Sequence, residues 1–253
     1  MKSPFSVSVK PDWQGLKDTI MRTGSPDRVH HIELFLDREI SDAICERYSV
    51  LEGLDPADPF YPEKREITVQ SFLGYDYVRW SLTGMEMPLH YIATEDTADL
   101  ARKGGRNYVD EHTGPIASWE DFERYPWPDP HKASSRSLEW FEDNLPEGMC
   151  VIGSGGFAHF AEYIVWLMGY ESLCIALYEQ RDLVAAISKK LVDIYDVFVD
   201  RLLQFDCVKI VWGSDDMGFK GGPLISPDDL REFVLSGHKL MAEKSHAAGR
   251  PYL

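Results

Sequence analysis

The sequence predicts an α/β protein in which parallel strands alternate with crossover helices. Short apolar segments rich in β-branched residues are each followed by a longer segment whose apolar residues recur at three- and four-residue steps. At 253 residues and 44% hydrophobic content, the chain can bury a core of barrel size. It contains no solenoid repeat, low-complexity tract or flexible linker. We therefore predict a single domain over residues 1–253.

The predicted elements follow one another in a regular order. Strands are expected at residues 29–36, 75–80, within 148–156 and at 207–214, with a fifth beginning at 250–253, and helices at 37–48, before Gly74, at 159–180, at 182–205 and at 226–249. The helix at 182–205 has an apolar stripe formed by Val184, Ile187, Leu191, Ile194, Phe198 and Leu202. The last helix has Ser226 as its N-cap, Pro227 at its first position and Gly249 at its exit, which is a complete set of end signals.

The first strand and its helix supply the first candidate groups. Alternate residues of a strand share a face, so His31 and Glu33 point the same way and His30 points away. We consider His31 and Glu33 as candidate substrate-binding residues, with Glu33 either facing inward or held in a buried ion pair. In the following helix, the predicted apolar stripe is formed by Ile40, Ala43 and Ile44.

Residues 118–130, SWEDFERYPWPDP, contain three prolines within five positions. Because proline has no backbone N–H, this spacing excludes a regular helix or a central strand there. The aromatic side chains Trp119, Tyr125 and Trp127 are predicted to pack together rather than to form a cofactor site.

The charge of the chain disfavours two classes of partner. The chain contains 26 Lys and Arg residues and 42 Asp and Glu residues, which gives a formal net charge of −16. This excess of negative charge repels nucleic acid and anionic membrane surfaces. The sequence also shows no signal-peptide core and no run near the roughly 18 apolar residues of a membrane span. We expect a small-molecule substrate and a cytoplasmic location.

The four cysteines, Cys45, Cys150, Cys174 and Cys207, lie far apart and form no C-x-x-C pair. This spacing indicates neither a disulfide framework nor a closed zinc finger. From the sequence we assign no metal ligand in this chain.

Two adjacent aspartates follow the strand in VKIVWGSDDMG, residues 208–218. Such residues often form a turn or an N-cap, but at the carboxyl end of a barrel strand they lie in the active site. We take Asp215 and Asp216 as candidate catalytic residues, and only one of them should face the pocket because neighbours on extended backbone point oppositely. If the chain is a barrel and Asp215 faces its axis, Asp215→Asn in the complete protein should lower activity with little change in melting temperature, while Asp216 should point away and support the loop through backbone hydrogen bonds.

Two further candidates follow the third strand. Gly155, in GSGG, either lets a ligand approach the backbone or only forms a tight turn, and its spacing matches no nucleotide-binding motif. His159, at the start of the next helix, either faces the same place or is solvated. We take both as candidate substrate-binding residues. His238 and His246, in the last helix, are predicted to lie on a solvated face and receive no role.

Five segments, in this order, resemble the uroporphyrinogen decarboxylase superfamily: LGYDY, WEDFERYPWPDP, the glycine-rich third strand with FAEYIVWLMGYESL, VWGSDDMGFKGGPLISPDDLREFVL and HAAGRPYL. The resemblance covers residues 28–253. It implies a (β/α)₈ TIM barrel with its active site at the carboxyl ends of the strands. It also implies that Tyr163 contacts the substrate and that Asp215 replaces a serine of the decarboxylases. Members of the superfamily decarboxylate uroporphyrinogen, or move a methyl group between a corrinoid protein and an acceptor such as a thiol, often with zinc.

The departures from the decarboxylase pattern favour methyl transfer. IELFLDRE stands where the decarboxylases carry an arginine-rich RQAGR, so much of the clamp for substrate carboxylates is missing. The segment that begins at Asp76 offers only residues 81–83 where their pyrrole-binding aspartate would lie. An aspartate at 215 suits a cationic, N–H-rich or metal-bound ligand better than a polycarboxylate. We predict methyl transfer in a corrinoid-linked pathway, with a corrinoid protein as partner. The alternatives are decarboxylation of uroporphyrinogen and a non-catalytic tetrapyrrole- or corrinoid-binding protein.

The resemblance further implies that this chain carries four to five of the eight barrel strands and lacks the C-terminal ones. An unclosed sheet leaves a strand edge exposed, so we expect this chain to aggregate or to need a partner. The family's zinc ligands, a His-x-Cys pair and a later cysteine, would lie beyond residue 253. Any zinc would then belong to the full-length protein, and this chain should bind none in stoichiometric amount.

Overall fold

The computed structural model describes residues 9–94, 106–153 and 159–253. The helices in these ranges are α1 (Trp13–Met21), α2 (Arg38–Tyr48), α3 (Tyr61–Leu73), α4 (Trp119–Arg124), α5 (Arg136–Asn144), α6 (Phe160–Met168), α7 (Tyr170–Glu179), α8 (Arg181–Leu202), α9 (Pro227–Leu230) and α10 (Ser236–Ala247). The strands are β1 (Tyr77–Trp80), β2 (Tyr91–Thr94), β3 (Arg106–Val109), β4 (Cys150–Gly153), β5 (Val208–Val211), β6 (Gly218–Phe219) and β7 (Gly222–Pro223). A 3₁₀ turn covers Pro130–Lys132, and a π-helical turn, Arg231–Leu235, joins α9 to α10.

The described residues fall into two compact units. The sheet unit takes its residues from 9–81, 135–153 and 204–211, and the helical unit takes its residues from 82–94, 106–134, 159–203 and 212–253. The single-domain organisation inferred from the sequence stays a prediction.

The sheet unit is built on three parallel strands in the order β1-β4-β5. Tyr77 lies opposite Cys150, and Val151 lies opposite Val208. Several strand residues have no exposed surface, as is typical of parallel strands that are covered on both faces: Val78, Cys150, Val151, Ile152, Val208, Ile210 and Val211. These are the second, third and fourth strands predicted from the sequence. The α/β class is confirmed, and the barrel stays a prediction.

Residues 29–36 form no strand, so the first predicted strand is wrong. Their apolar side chains face solvent, with Val29 79% and Phe35 69% exposed. The side chain of His30 is buried, and its Nδ1 lies 2.7 Å from Oδ2 of Asp76. Arg28 forms an ion pair with the other carboxylate oxygen of Asp76. The segment is therefore fixed by side-chain bonds to a buried aspartate and not by sheet hydrogen bonds.

The apolar stripe predicted for α2 is also wrong. Ile40 is 40% exposed, and the buried residues of this helix are Ser41 and Cys45. Nη2 of Arg65, on α3, donates to the hydroxyl of Ser41 at 2.9 Å. The buried face of α2 is therefore partly polar. A prediction from the spacing of apolar residues cannot detect a buried face of this kind.

The helical unit is organised around α8, which packs against α6, α7 and α10. All six residues of the predicted stripe on α8 are at most 3% exposed, so this helix and its buried face are confirmed. The aromatic residues of 118–130 also contact one another as predicted. The Tyr125 and Trp127 rings are 4.7 Å apart, and Trp119 packs edge-on against Phe122.

The last predicted helix is confirmed at both ends. The hydroxyl of Ser226 accepts from the N–H of Asp229, and Gly249 has the positive φ of 71° that ends the helix. The π-helical turn inside it was not predicted. It lies beside α8, where the hydroxyl of Ser188 donates to the carbonyl of Phe233 at 2.7 Å. Such turns widen a helix locally and shift the faces of the residues that follow.

Within the described part of the chain, no single helix has the length and apolar composition needed to cross a membrane. The bent pair α6 and α7 passes that test jointly, with an angle of 92° between its two helices.

Candidate functional site

The candidate site lies in the helical unit, at the start of α6. His159 is the N-cap residue of this helix, and Glu162 and Tyr163 lie in its first turns. Asp215 comes from the segment four residues after β5. Three of the residues predicted from the sequence, His159, Tyr163 and Asp215, thus belong to one cluster.

Asp215 caps α6 from a distant part of the chain. Its side chain is fully buried. Oδ2 accepts from the backbone N–H of Ala161 at 2.7 Å, and Oδ1 accepts from that of Glu162 at 3.0 Å. The first amides of a helix have no partner within the helix, and its N-terminus attracts negative charge. Among the described residues no lysine or arginine pairs with Asp215, and the helix start stabilises this buried carboxylate instead.

A histidine and a tyrosine extend this network. Nε2 of His238 lies 3.0 Å from Oδ2 of Asp215, and Nδ1 of the same ring lies 2.7 Å from the hydroxyl of Tyr252. We assign the hydrogen to Nε2, because it faces a carboxylate, and let the tyrosine donate to Nδ1. Burial, and then the charge of Asp215, raise the pKa of Tyr252, which keeps its hydroxyl protonated as a donor.

His159 and Glu162 form a second pair beside Asp215. Residues three apart share a helix face, and here Nδ1 of His159 bonds to Oε2 of Glu162. The hydroxyl of Ser214 lies 3.4 Å from Nε2 of His159. The His159 and Glu162 side chains are 17% and 24% exposed. Ligand atoms of His159, Glu162 and Asp215 all lie within 4.8 Å of one another, so the three side chains form a potential metal-binding group.

Two tyrosines border this group. Tyr163 is buried, its ring lies edge-on to that of His159, and its hydroxyl is bonded to that of Tyr195. Burial raises the pKa of Tyr163 to about 12 and that of Tyr195 well above its ordinary value. Both hydroxyls are therefore neutral at physiological pH and can donate hydrogen bonds.

Gly237 explains how α10 comes close enough for His238 to reach Asp215. A Cβ atom at this position would lie 2.5 Å from ring carbons of Phe160, which is fully buried on α6. Real Cβ atoms do not approach ring carbons this closely. The missing side chain therefore sets the distance between α10 and α6.

Asp216 has different surroundings from Asp215. It is exposed, and its Oδ1 accepts from the N–H of Gly218 at 3.3 Å, at the first residue of the short β6–β7 hairpin. This is the loop-supporting contact predicted from the sequence, and it is the contact of a turn residue. Of the two candidate catalytic residues, Asp215 and Asp216, we therefore retain Asp215.

The other predicted residues lie elsewhere in the chain. His31 and Glu33 belong to the sheet unit and are exposed. His31 packs edge-on to Tyr75, and the backbone N–H of Glu33 donates to the hydroxyl of Tyr77 at 2.8 Å. The prediction that Glu33 faces inward or belongs to a buried pair is wrong, because the segment buries His30 instead. Gly155 lies outside the described residues.

Sequence reasoning missed His238 and Glu162. The prediction that His238 is solvated is wrong, since its side chain is only 11% exposed, whereas His246 is exposed as predicted. His238 lies four residues after Val234 and three before Met241, which are both buried, and this stripe was a usable signal. Glu162 completes an H-x-x-E pattern with His159 on a helix, where residues three apart do share a face.

No protein-family model matches the chain, and no curated protein matches it either. The family and the reaction are therefore proposed from the residues and from the site.

Proposed function

We propose that this chain is a uroporphyrinogen decarboxylase-like enzyme that transfers a methyl group between a corrinoid protein and a thiol acceptor in the cytoplasm. The observation that carries the proposal is the convergence of His159, Glu162, Tyr163 and Asp215 at the start of α6. The resemblance implies substrate contact at Tyr163 and a special role at Asp215, and these positions are 52 residues apart in the chain. Their meeting in one cluster is what a common active site requires.

The order of the strands supports the proposed barrel. β1, β4 and β5 are parallel and lie side by side in chain order. Consecutive strands of a (β/α)₈ barrel are arranged in this way, whereas a doubly wound sheet reverses its order at a switch point. In the chain, α6 follows β4 and Asp215 follows β5, so both parts of the cluster come from segments that follow a strand. In barrel enzymes such segments carry the chemistry.

Thiol activation is the chemistry that these residues fit. A thiol attacks as its thiolate, so its proton must be removed or its pKa lowered. His159, oriented by Glu162, is placed to accept that proton, and the neutral Tyr163 can orient the acceptor by donating a hydrogen bond. A zinc ion, when bound, would supply Lewis acidity that lowers the pKa of the thiol.

The surroundings of Asp215 favour this reaction over decarboxylation. A decarboxylase needs a carboxylate that is available to stabilise a protonated pyrrole. The oxygens of Asp215 already accept bonds from two backbone amides and from His238. Within the described residues this leaves one lone-pair position, on Oδ1, which suffices for a single ligand atom but not for the several N–H groups of a tetrapyrrole.

The test supplies methylcobalamin and a panel of small thiols and follows methyl thioether formation by mass spectrometry, with uroporphyrinogen tested in parallel. We expect methyl transfer by the unmodified chain and a loss of about 100-fold or more in His159→Gln, the usual scale for a lost general base. The matched control is His246→Gln, because His246 is an exposed histidine of α10.

Loss of carboxyl groups from uroporphyrinogen would contradict the proposal in favour of decarboxylation. Binding of methylcobalamin without turnover of any thiol would instead indicate the non-catalytic corrinoid-binding protein. An equal loss of activity in His159→Gln and His246→Gln would remove the assigned role of His159.

A further inference from the structure

We propose that His159, Glu162 and Asp215 bind one divalent metal ion. This inference deepens the proposed function, since it names a cofactor for the same site, but it is tested by metal binding alone. The three ligands lie on two segments of the helical unit, and their ligand atoms are within 4.8 Å of one another. They differ from the His-x-Cys pair and later cysteine that the family resemblance implies. The proposal therefore opposes the expectation that this chain binds no stoichiometric metal.

The ligand set defines the class of ion. One imidazole and two carboxylates provide nitrogen and oxygen donors and no sulfur. Such donors suit Mn²⁺, Fe²⁺, Co²⁺ and Zn²⁺, whereas Ca²⁺ prefers oxygen ligands alone. The two carboxylates carry a formal charge of −2, which balances a divalent cation. Three protein ligands leave coordination positions open, as in catalytic rather than structural sites.

Asp215 retains the electron pair that a metal needs. A carboxylate has about four lone-pair positions on its two oxygens. Oδ2 accepts from Ala161 and from His238, and Oδ1 accepts only the bond from Glu162 among those the described residues show. Oδ1 therefore remains available to a cation, and the backbone bonds hold it in a fixed position.

His238 and Tyr252 fit the role of outer residues that orient a ligand. Carboxylates that bind metals are usually hydrogen-bonded in turn, and such outer partners set the ligand's position. His238 bonds to Asp215 on one side and to Tyr252 on the other. A simple helix cap needs only the backbone amides, so this buried chain of three polar side chains exceeds what capping requires.

The other ligands are accessible enough to exchange an ion. His159 and Glu162 keep part of their surface in solvent and bond to each other through Nδ1 and Oε2. In the proposed site both atoms turn toward one cation, so the ion lowers the pKa of the thiol in the metal-bound form and His159 accepts the thiol proton only in the metal-free form. The competing interpretation is an ordinary ion pair at the start of a helix, which would bind no metal.

The experiment loads the full chain separately with Mn²⁺, Fe²⁺, Co²⁺ or Zn²⁺ under anaerobic conditions, dialyses it, and measures retained metal by mass spectrometry. We expect one equivalent of at least one of these ions and a higher melting temperature in its presence. His159→Gln and Glu162→Gln should each weaken binding by tenfold or more. Neither side chain caps a helix amide in the described structure, so both variants should fold.

Glu171→Gln is the control, because Glu171 is an exposed acidic residue in the first turn of α7. Absence of retained metal with all four ions would overturn the proposal. Retention that is unchanged in both ligand variants would also overturn it, because the metal would then lie elsewhere. Metal binding without methyl transfer would leave this site intact and contradict only the proposed reaction.

Discussion

Replacing Asp215 by asparagine should destabilise the protein and expose the start of α6. The side chain is fully buried and accepts three hydrogen bonds, from the amides of Ala161 and Glu162 and from Nε2 of His238. Asparagine has nearly the same shape but only one accepting oxygen. Its amide group must therefore turn an N–H toward at least one of these donors.

The magnitude follows from the bonds that are lost. A hydrogen bond to a charged group contributes about 1.5–3 kcal/mol. Removing the negative charge from the helix N-terminus costs up to about 2 kcal/mol more in a buried setting. We expect Asp215→Asn to lower the free energy of unfolding by about 3 kcal/mol. The sequence alone predicts little change in melting temperature, because it shows none of these three donors.

Urea denaturation followed by circular dichroism measures this loss, and hydrogen exchange locates it. The amides of Ala161 and Glu162 should exchange faster in the variant than in the unmodified protein. Asp216→Asn is the control, since Asp216 is exposed and accepts one bond of 3.3 Å, so its loss should stay below about 1 kcal/mol. Equal stability of Asp215→Asn and the unmodified protein, with unchanged exchange at both amides, would refute the capping role.

Two further predictions concern packing and pH. Gly237→Ala places a methyl group against the buried ring of Phe160 and should destabilise the protein by about 1–3 kcal/mol in thermal unfolding. The control is Gly221→Ala, whose added methyl group meets open space and should not destabilise the protein. A melting temperature of Gly237→Ala at or above that of the unmodified protein would contradict the close approach of α10 to Phe160. The pKa of Asp229 is lowered mainly by the hydrogen bond from the hydroxyl of Ser226. Ionised Asp229 therefore stabilises the folded protein fully above the unfolded pKa of about 3.9, and this stabilisation is lost as the pH falls through the lower folded pKa. Asp229→Asn should therefore flatten the dependence of unfolding free energy on pH below about pH 4, and an unchanged slope would contradict the assignment.

The elements that sequence reasoning placed correctly carry their signal locally. The stripe of α8 extends from Val184 to Leu202, and the ends of the 226–249 helix are marked by Ser226 and Gly249. The strands β1, β4 and β5 are short segments of mainly apolar residues. In these segments the same residues determine both the local conformation and the buried face, so the pattern is sufficient.

The errors arise where a distant partner determines the outcome. The segment 29–36 has the apolar composition of a strand, but its conformation is set by the bonds that Asp76 makes to Arg28 and His30, which are 48 and 46 residues away. Strand alternation then assigns the wrong histidine to the interior. His238 is buried because Gly237 lets α10 approach α6 and because Asp215 supplies an acceptor. The stripe of Val234, His238 and Met241 indicates that His238 is buried, but its partners cannot be identified from the spacing of residues along one element.

The capping role of Asp215 and its proposed role as a ligand support each other. The same carboxylate that holds the first amides of α6 brings that helix, with His159 and Glu162, to the place where a cation would lie. Folding of this contact therefore prepares the site before any ion binds, which lowers the cost of organising the ligands. A cation that binds only the folded arrangement stabilises it in turn by mass action. A site made from a helix start and a capping carboxylate thus couples metal affinity to local stability, and a change in either should alter the other in the same direction.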